Sequence, residues 1–371
     1  MDLVPRGRQS LGRRDGHRSA PRGRHAAGTA GAAGLADARG GGPQRARLPA
    51  APAGDAHGDD DRAGRRDADQ QAESVGRWNQ TYDQISAGTF DGWVVDAWFA
   101  DVQLFREATN QVVHQRGNPW PDSIALAVPL AMRGEAYAHG LAMTANMIHV
   151  LDARRQELDL VTSPQLDLAA VAMRAETAER FCREVEGIEL ADLLRDDWLT
   201  LCGEPCLAPL RQFLGTTFAV LQSGQMPLEQ PSIRRSLRDA LLTNLFASLT
   251  CGDFAADSEG CAGQRRVVDR ARGYLLSHPD EPVTIAELCR AIGVSRRKLQ
   301  YCFQESLGCN PLHYLRALRL NRVRRELKGN GVAAASVQEV AARWGFWHLS
   351  HFAADYKHMF GELPSQTLRR R

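Results

Sequence analysis

One short pattern occurs twice in the last third of this 371-residue chain, and it restricts the fold more than any other feature. Thr284-Ile285-Ala286-Glu287-Leu288 returns 52 residues later as Ser336-Val337-Gln338-Glu339-Val340. Both are S/T-x-x-E capping boxes, in which the hydroxyl and the carboxylate satisfy the first free amides of a helix. A glycine follows nine residues after each cap, Gly293 and Gly345, and then an apolar residue, Val294 and Phe346. A second helix is expected next, with core positions Leu299 and Phe303 in one copy and Phe352 and Tyr356 in the other. Each copy closes on a glycine suited to a left-handed cap, Gly308 and Gly361, with Pro311 and Pro364 three residues on. A capped helix, a glycine turn and a second amphipathic helix make a helix-turn-helix. Two copies in register predict a pair of such modules.

The charge supports that reading. Residues 264–371 carry 19 Lys and Arg against 9 acidic side chains, a net of +10. Residues 71–263 carry 14 Arg against 26 acids, a net of −12. A compact basic segment behind an acidic one points to double-stranded DNA as the partner of the basic part. No run of about 18 apolar residues is present, so no membrane-spanning helix is expected. The N-terminus lacks an apolar signal core, so no export is expected and the location predicted is cytoplasmic. In such a chain the eight scattered cysteines are expected to be reduced packing residues.

Residues 1–70 contain no Ile, Phe, Tyr, Trp or Cys, and Gly, Ala and Arg make up 41 of them. Such a segment cannot bury enough apolar surface to offset its ordering entropy. Residues 1–66 are therefore predicted to be a disordered Arg/Gly/Ala-rich extension. They are either a basic arm or an upstream stretch with no evolved fold, and the lack of interleaved aromatics favours the second. From 67 to 250 the chain reads as a regulatory domain. Short β-like runs at 93–99, 103–106, 123–130, 136–142, 147–151, 158–161 and 168–173 alternate with turn formers such as Gly117-Asn118-Pro119. Helical stretches are expected at 175–186, 189–201, 205–222 and 230–250. Residues 251–263 are Gly-, Asp- and Ser-rich and read as a linker.

Periodicity assigns the faces of the two second helices. In the first, Leu299, Cys302 and Phe303 point inward, which leaves Arg297, Gln300, Tyr301 and Gln304 on the outer stripe. Arg and Gln suit bidentate contacts with guanine and adenine edges. In the second, Leu349, Phe352 and Tyr356 point inward. Trp347, Ser350, His351 and Ala354 face outward, a stripe poorer in donors. Arg296, Lys298, Arg324 and Lys328 are expected on phosphates. Between the modules, Asn310 caps and Pro311 opens a helix running to about Lys328.

Residues 264–371 resemble the DNA-binding domain of the AraC/XylS transcription regulators. The resemblance rests on Leu288, Ser295, Leu299, Phe303, Gly308, Pro311, Tyr314 and Arg319. It continues through Val340-Ala341, Gly345-Phe346, Phe352, Lys357, Phe360-Gly361 and Pro364. Ala354 stands where many relatives carry Arg, and Trp347 replaces a small or polar residue. The strings SRRKLQYCFQESLG, RLNRVRREL and WGFWHLSHFAADYKHMFGELPS, with residues 78–111, look most like the ethanolamine-operon regulator group. The resemblance implies an α+β chain: an N-terminal cupin-like β-barrel effector domain, a helical connection, and an all-α domain of two helix-turn-helix modules. It also implies a transcription activator of a catabolic operon, with RNA polymerase and a small-molecule effector as partners and a homodimer as the assembly. The effector would be an amine or alcohol such as ethanolamine.

Trp93, Trp98, Trp120, Arg133 and Tyr137 lie in or beside the predicted barrel strands and are candidates for the effector pocket. An enzyme is not expected. The barrel region offers only His114, His139 and His149, without the H-x-H start of a cupin metal site. Two alternatives stay open. One is a thiol- or metal-sensing regulator, for which Cys202-x3-Cys206 would supply ligands. The other is a degenerate cupin enzyme fused to the DNA reader. No resident metal or cofactor is expected beyond the effector.

Overall fold

The computed structural model describes residues 66–194, 199–224, 228–251, 253–254, 258–279, 283–329 and 336–370. The chain divides at 46/47 into two units, and every described residue belongs to the second. The expected extension at 1–66 lies outside the described residues except for Arg66.

A short helix α1 (Ala68–Ser74), capped by Asp67, precedes the strands. The strands are β1 (Asn79–Gln84), β2 (Gly92–Phe99), β3 (Val102–Thr109), β4 (Val113–Asn118), β5 (Ser123–Arg133), β6 (Ala136–Ala138), β7 (Leu141–Met143), β8 (Met147–Asp152), β9 (Leu158–Val161) and β10 (Gln165–Arg174). Helices α2 (Ala175–Phe181, continued by a π-turn to Glu186) and α3 (Leu190–Leu194) lead to β11 (Leu199–Leu201). Then come α4 (Glu204–Gln222), α5 (Pro231–Thr250), the two-residue β12 (Asp253–Phe254) and α6 (Ser258–Ser277).

The strands form two antiparallel sheets. One has the order β1-β4-β9-β6-β7 and the other β12-β11-β8-β5-β10-β3-β2. The sheets enclose an apolar interior to which Phe105, Ala125, Ala127, Leu168 and Ala170 contribute from the larger sheet and Leu158, Leu160, Ala136 and Ala138 from the smaller. The alternate residues Leu104, Leu126, Val128, Ala169, Val171 and Met173 project to the other face of the larger sheet. There they pack against Leu207, Leu210, Leu214 and Phe218 of α4 and Leu241, Leu245 and Phe246 of α5. Period-two alternation with both faces covered explains why β10 is buried along nearly its whole length. This is the cupin-like sheet domain expected, as an open barrel backed by helices.

Four expectations need correction. The run at 136–142 is a hairpin, because His139 and Gly140 take positive φ angles of 52° and 80° and break it into β6 and β7. The predicted helix at 189–201 ends at Leu194 among the described residues. Leu199–Leu201 instead completes the edge of β8. The expected linker is helical from Ser258, where α6 begins. Finally, Cys206 and Cys251 are joined by a disulfide, since the start of α4 and the end of α5 lie side by side with Cα atoms 6.1 Å apart.

The rest of the chain is helical: α7 (Ile285–Ile292), α8 (Arg296–Leu307), α9 (Pro311–Lys328), α10 (Val337–Arg343), α11 (Leu349–Phe360) and α12 (Pro364–Arg369). They share a core built on Leu288, Leu299, Phe303, Tyr314, Leu318, Phe352, Tyr356 and Phe360. No helix of the described residues is long and apolar enough to cross a membrane.

Candidate nucleic-acid interface and barrel cavity

Local chemistry builds each helix-turn-helix. Glu287 N donates to Thr284 Oγ1 at 3.2 Å while Thr284 N donates to Glu287 Oε2 at 2.9 Å. Ser336 and Glu339 repeat the pair at 3.2 and 2.7 Å. Gly293 closes α7 with φ 68°, a conformation that costs a side-chain-bearing residue about 1–2 kcal/mol. Ser295 Oγ then accepts from Lys298 N at 3.1 Å and starts α8. Asn310 Oδ1 accepts from His313 N at 2.8 Å and starts α9. In the second module α11 begins without a side-chain cap, and it ends on Gly361 at φ 75°.

The outer stripes are where the periodicity put them. Arg297, Gln300, Tyr301 and Gln304 on α8 are exposed, as are Trp347, Ser350, His351 and Ala354 at the start of and along α11. Lys298 Nζ lies 5.4 Å from the centre of the Tyr301 ring, and Arg296 is exposed beside it. Leu349, expected inside, is 39% exposed, because it is the first residue of α11 and lies before the core stripe begins at Phe352. Trp347 and His351 line a groove of about 220 Å³ together with Leu312, Arg316, Arg319 and Phe346.

Arg324 and Lys328 are not free to meet phosphate in this structure. Arg324 is buried, donates to Glu362 Oε1 at 2.9 Å and stacks 4.6 Å from the Phe360 ring centre. Lys328 pairs with Asp67 and, at 3.1 Å, with Asp69. Their neighbour Arg325 donates to Asp69 Oδ1, Asp83 Oδ1 and the Tyr82 carbonyl, each at 2.7 Å. Burial opposes the charge on Asp83, but Arg325 and Arg272 outweigh it and hold its pKa below the ordinary carboxylate value. Asn321 and Gln84 exchange bonds through Asn321 Nδ2 to Gln84 O (2.8 Å) and Gln84 N to Asn321 Oδ1 (3.1 Å). The basic face of α9 thus docks on α1 and β1. Sequence periodicity could not reveal this, since a docked Arg and a solvated one occupy the same helical position.

Inside the barrel lies a small cavity of about 30 Å³. Trp78, Tyr82, Phe105, Glu107, Gln115 and His149 line it with a ring of small and branched aliphatic residues. Glu107 is buried and accepts from Tyr82 Oη at 2.9 Å and from Gln115 Nε2 at 3.0 Å. Burial raises its pKa above the ordinary value. His149 is buried, burial pushes its pKa down to about 4, and its Nε2 meets no hydrogen-bond partner among the described residues.

None of the five pocket candidates lines this cavity. Trp93 and Trp120 are buried, and their indole nitrogens meet no hydrogen-bond partner among the described residues. Trp98 packs 5.8 Å from Trp120, and Arg77 stacks on it at 4.1 Å. Arg133 is exposed at the end of β5. Tyr137 contributes to the core of the helical domain and bonds Glu135 at 2.7 Å. The residues that do line it, Glu107 and His149, carried no local signal beyond sitting in alternating runs. Cys202 is buried and its Sγ lies against the Ser248 carbonyl, while Cys206 is taken up in the disulfide with Cys251. No group of three or more metal-ligating side chains occurs among the described residues.

Residues 288–370 match the helix-turn-helix domain family. The "Probable thc operon regulatory protein" of Rhodococcus erythropolis is 43% identical over 103 residues, 28% of this chain and 31% of that protein. The "XylDLEGF operon transcriptional activator 3" of Pseudomonas putida is 32% identical over 149 residues, 40% and 43% of the two chains. A solved structure of "a probable AraC family transcriptional regulator" from Rhodopseudomonas palustris is 35% identical, covering 28% of this chain and 96% of that one with a TM-score of 0.26. The chain spans less than half the length of these two curated relatives. Residues 288–370 are thus a helix-turn-helix domain, similar in sequence to that of operon regulators of the AraC/XylS type.

Proposed function

We propose that the protein is a sequence-specific transcription activator of a catabolic operon, acting in the cytoplasm and switched by a small molecule held in the barrel cavity. The observation that carries the DNA-binding part is the duplicated, capped helix-turn-helix with Arg297, Gln300, Tyr301 and Gln304 exposed on one stripe. Arg297 and Gln300 read base edges, and Arg296 and Lys298 hold phosphates. The two reading helices would enter successive major-groove turns, about 34 Å apart. RNA polymerase and a second copy of the chain are the partners proposed from the resemblance. For the effector, a buried carboxylate and an unpartnered imidazole facing one small cavity fit a compact molecule carrying hydrogen-bond donors, the amine or alcohol class of ethanolamine.

Two measurements test this. Selection of DNA by the full chain should return one preferred sequence; random recovery rejects DNA reading. Isothermal titration with ethanolamine should give one site that Glu107→Gln abolishes. Binding that Glu107→Gln leaves intact removes the cavity from the proposal.

A further inference from the structure

A continuous run of contacts, hydrogen bonds and ion pairs with a ring contact at each end, leaves the cavity wall and ends at the first reading helix, and all its members but the half-buried Arg265 are buried. It begins at His149 on β8, which lines the cavity and whose Nε2 is unpartnered among the described residues. The His149 ring lies 5.4 Å from that of His139, at the tip of the β6–β7 hairpin. His139 Nδ1 accepts from Arg265 Nη1 at 3.0 Å. Arg265 belongs to α6, outside the barrel, and its Nε sits 3.0 Å from Asp159 Oδ2. The second oxygen, Asp159 Oδ1, accepts from His114 Nε2 at 2.6 Å. His114 Nδ1 meets the Tyr314 hydroxyl at 2.8 Å. Tyr314 stands on α9, the helix between the two modules, and its ring meets Phe303 of α8 edge-on at 5.5 Å.

His149, His139, Asp159, His114 and Tyr314 are each 5% exposed or less. In such surroundings a polar contact is strong, and leaving one partner alone is costly. A change at one end therefore favours rearrangement along the run over loss of a single bond. We propose that this run couples the cavity to the placement of α8 and α9, so that what His149 contacts alters DNA affinity. The inference rests on the effector reading above and names how that site would act. It needs a docking that can be biased. The face of α9 on the barrel meets that need, because directional ion pairs and the Asn321–Gln84 exchange, which depend on exact placement, hold it.

The test is a double-mutant cycle on the full chain, read as the Kd for the selected DNA at one fixed salt concentration. The variants are His149→Gln, Tyr314→Phe and the pair, each checked for a cooperative melt. The expected result is a joint effect on Kd that departs from the product of the single effects by about 5-fold or more. As a control, Trp93→Phe, in the same sheet but outside the run, should combine with Tyr314→Phe multiplicatively. Products obeyed within about 2-fold for the His149–Tyr314 pair overturn the proposal. Should a variant fail to fold, ring resonances of histidine-labelled unmodified protein decide. Saturating DNA should shift the His149 signal, and an unmoved signal overturns the proposal. No effector enters either measurement, so a failed cycle leaves the effector reading standing, and a failed ethanolamine titration leaves the cycle readable.

Discussion

Arg297 and Gln300 can each present two hydrogen-bonding groups to one base, whereas Ser350, His351 and Ala354 cannot. All five are exposed, so access does not separate them. The chemistry then assigns most sequence discrimination to α8. Arg297→Ala or Gln300→Ala should cost about 1–3 kcal/mol on the preferred site and relax one or two base pairs. His351→Ala should change the selected sequence less. Binding-site selection with each variant at a stated salt concentration checks this, and a site rewritten by His351→Ala but not by Arg297→Ala reverses the assignment. His149 gives a second expectation, in stability. Burial depresses its folded pKa to about 4, while the unfolded imidazole titrates near its ordinary value of about 6.5. Between those values the unfolded state holds more protons, so stability is full above about pH 6.5 and falls as pH drops toward 4. The loss of melting temperature from pH 7 to pH 5 should be smaller in His149→Gln than in the unmodified protein.

At the scale of elements, three glycines share a left-handed conformation but differ in surroundings. A Cβ on Gly293 would meet nothing within 4 Å, whereas one on Gly308 would press on the Tyr137 ring at 2.8 Å. On Gly361 it would collide with Thr89. Gly293→Ala should therefore cost only the backbone term of about 1–2 kcal/mol. Gly361→Ala should cost more, because it also forces the end of α11 away from the barrel. Urea titration of both variants separates the two, and equal losses would mean that Thr89 yields without cost. The capping boxes explain why these elements were legible from sequence. Thr284, Glu287, Ser336 and Glu339 satisfy backbone groups only three residues away, so their signal is local.

Across the whole molecule, α1 carries more weight than its seven residues suggest. Asp67 and Asp69 receive Lys328 and Arg325, and Gln71 donates to the Ala108 carbonyl at 3.2 Å. Removing residues 1–66 deletes none of these contacts, and that stretch carries no Ile, Phe, Tyr, Trp or Cys. That truncation should leave the melting temperature and DNA affinity unchanged. Removing residues 1–74 should lower the melting temperature, because α1 and its acidic partners for α9 go with it. Parallel melts and binding titrations of the two truncations check this, and a large loss on removing 1–66 would revive the basic-arm reading.

The sequence by itself determined the two modules, their caps, the inward stripe of α8 and most barrel strands. Each depends on periodicity or on hydrogen bonds between residues a few positions apart. Only the tertiary structure decided what depends on partners far along the chain. The positions of Arg324, Arg325 and Lys328 on α9 read as a basic face open to phosphate. Carboxylates at 67, 69, 83 and 362 turn that face into a docking surface. Tyr137 read as a pocket residue and became an interdomain contact, while Glu107 and His149 became the cavity wall. A strand's alternation states that a side chain faces inward, but not which interior it meets, because that is set by how two sheets and a helical domain close around it.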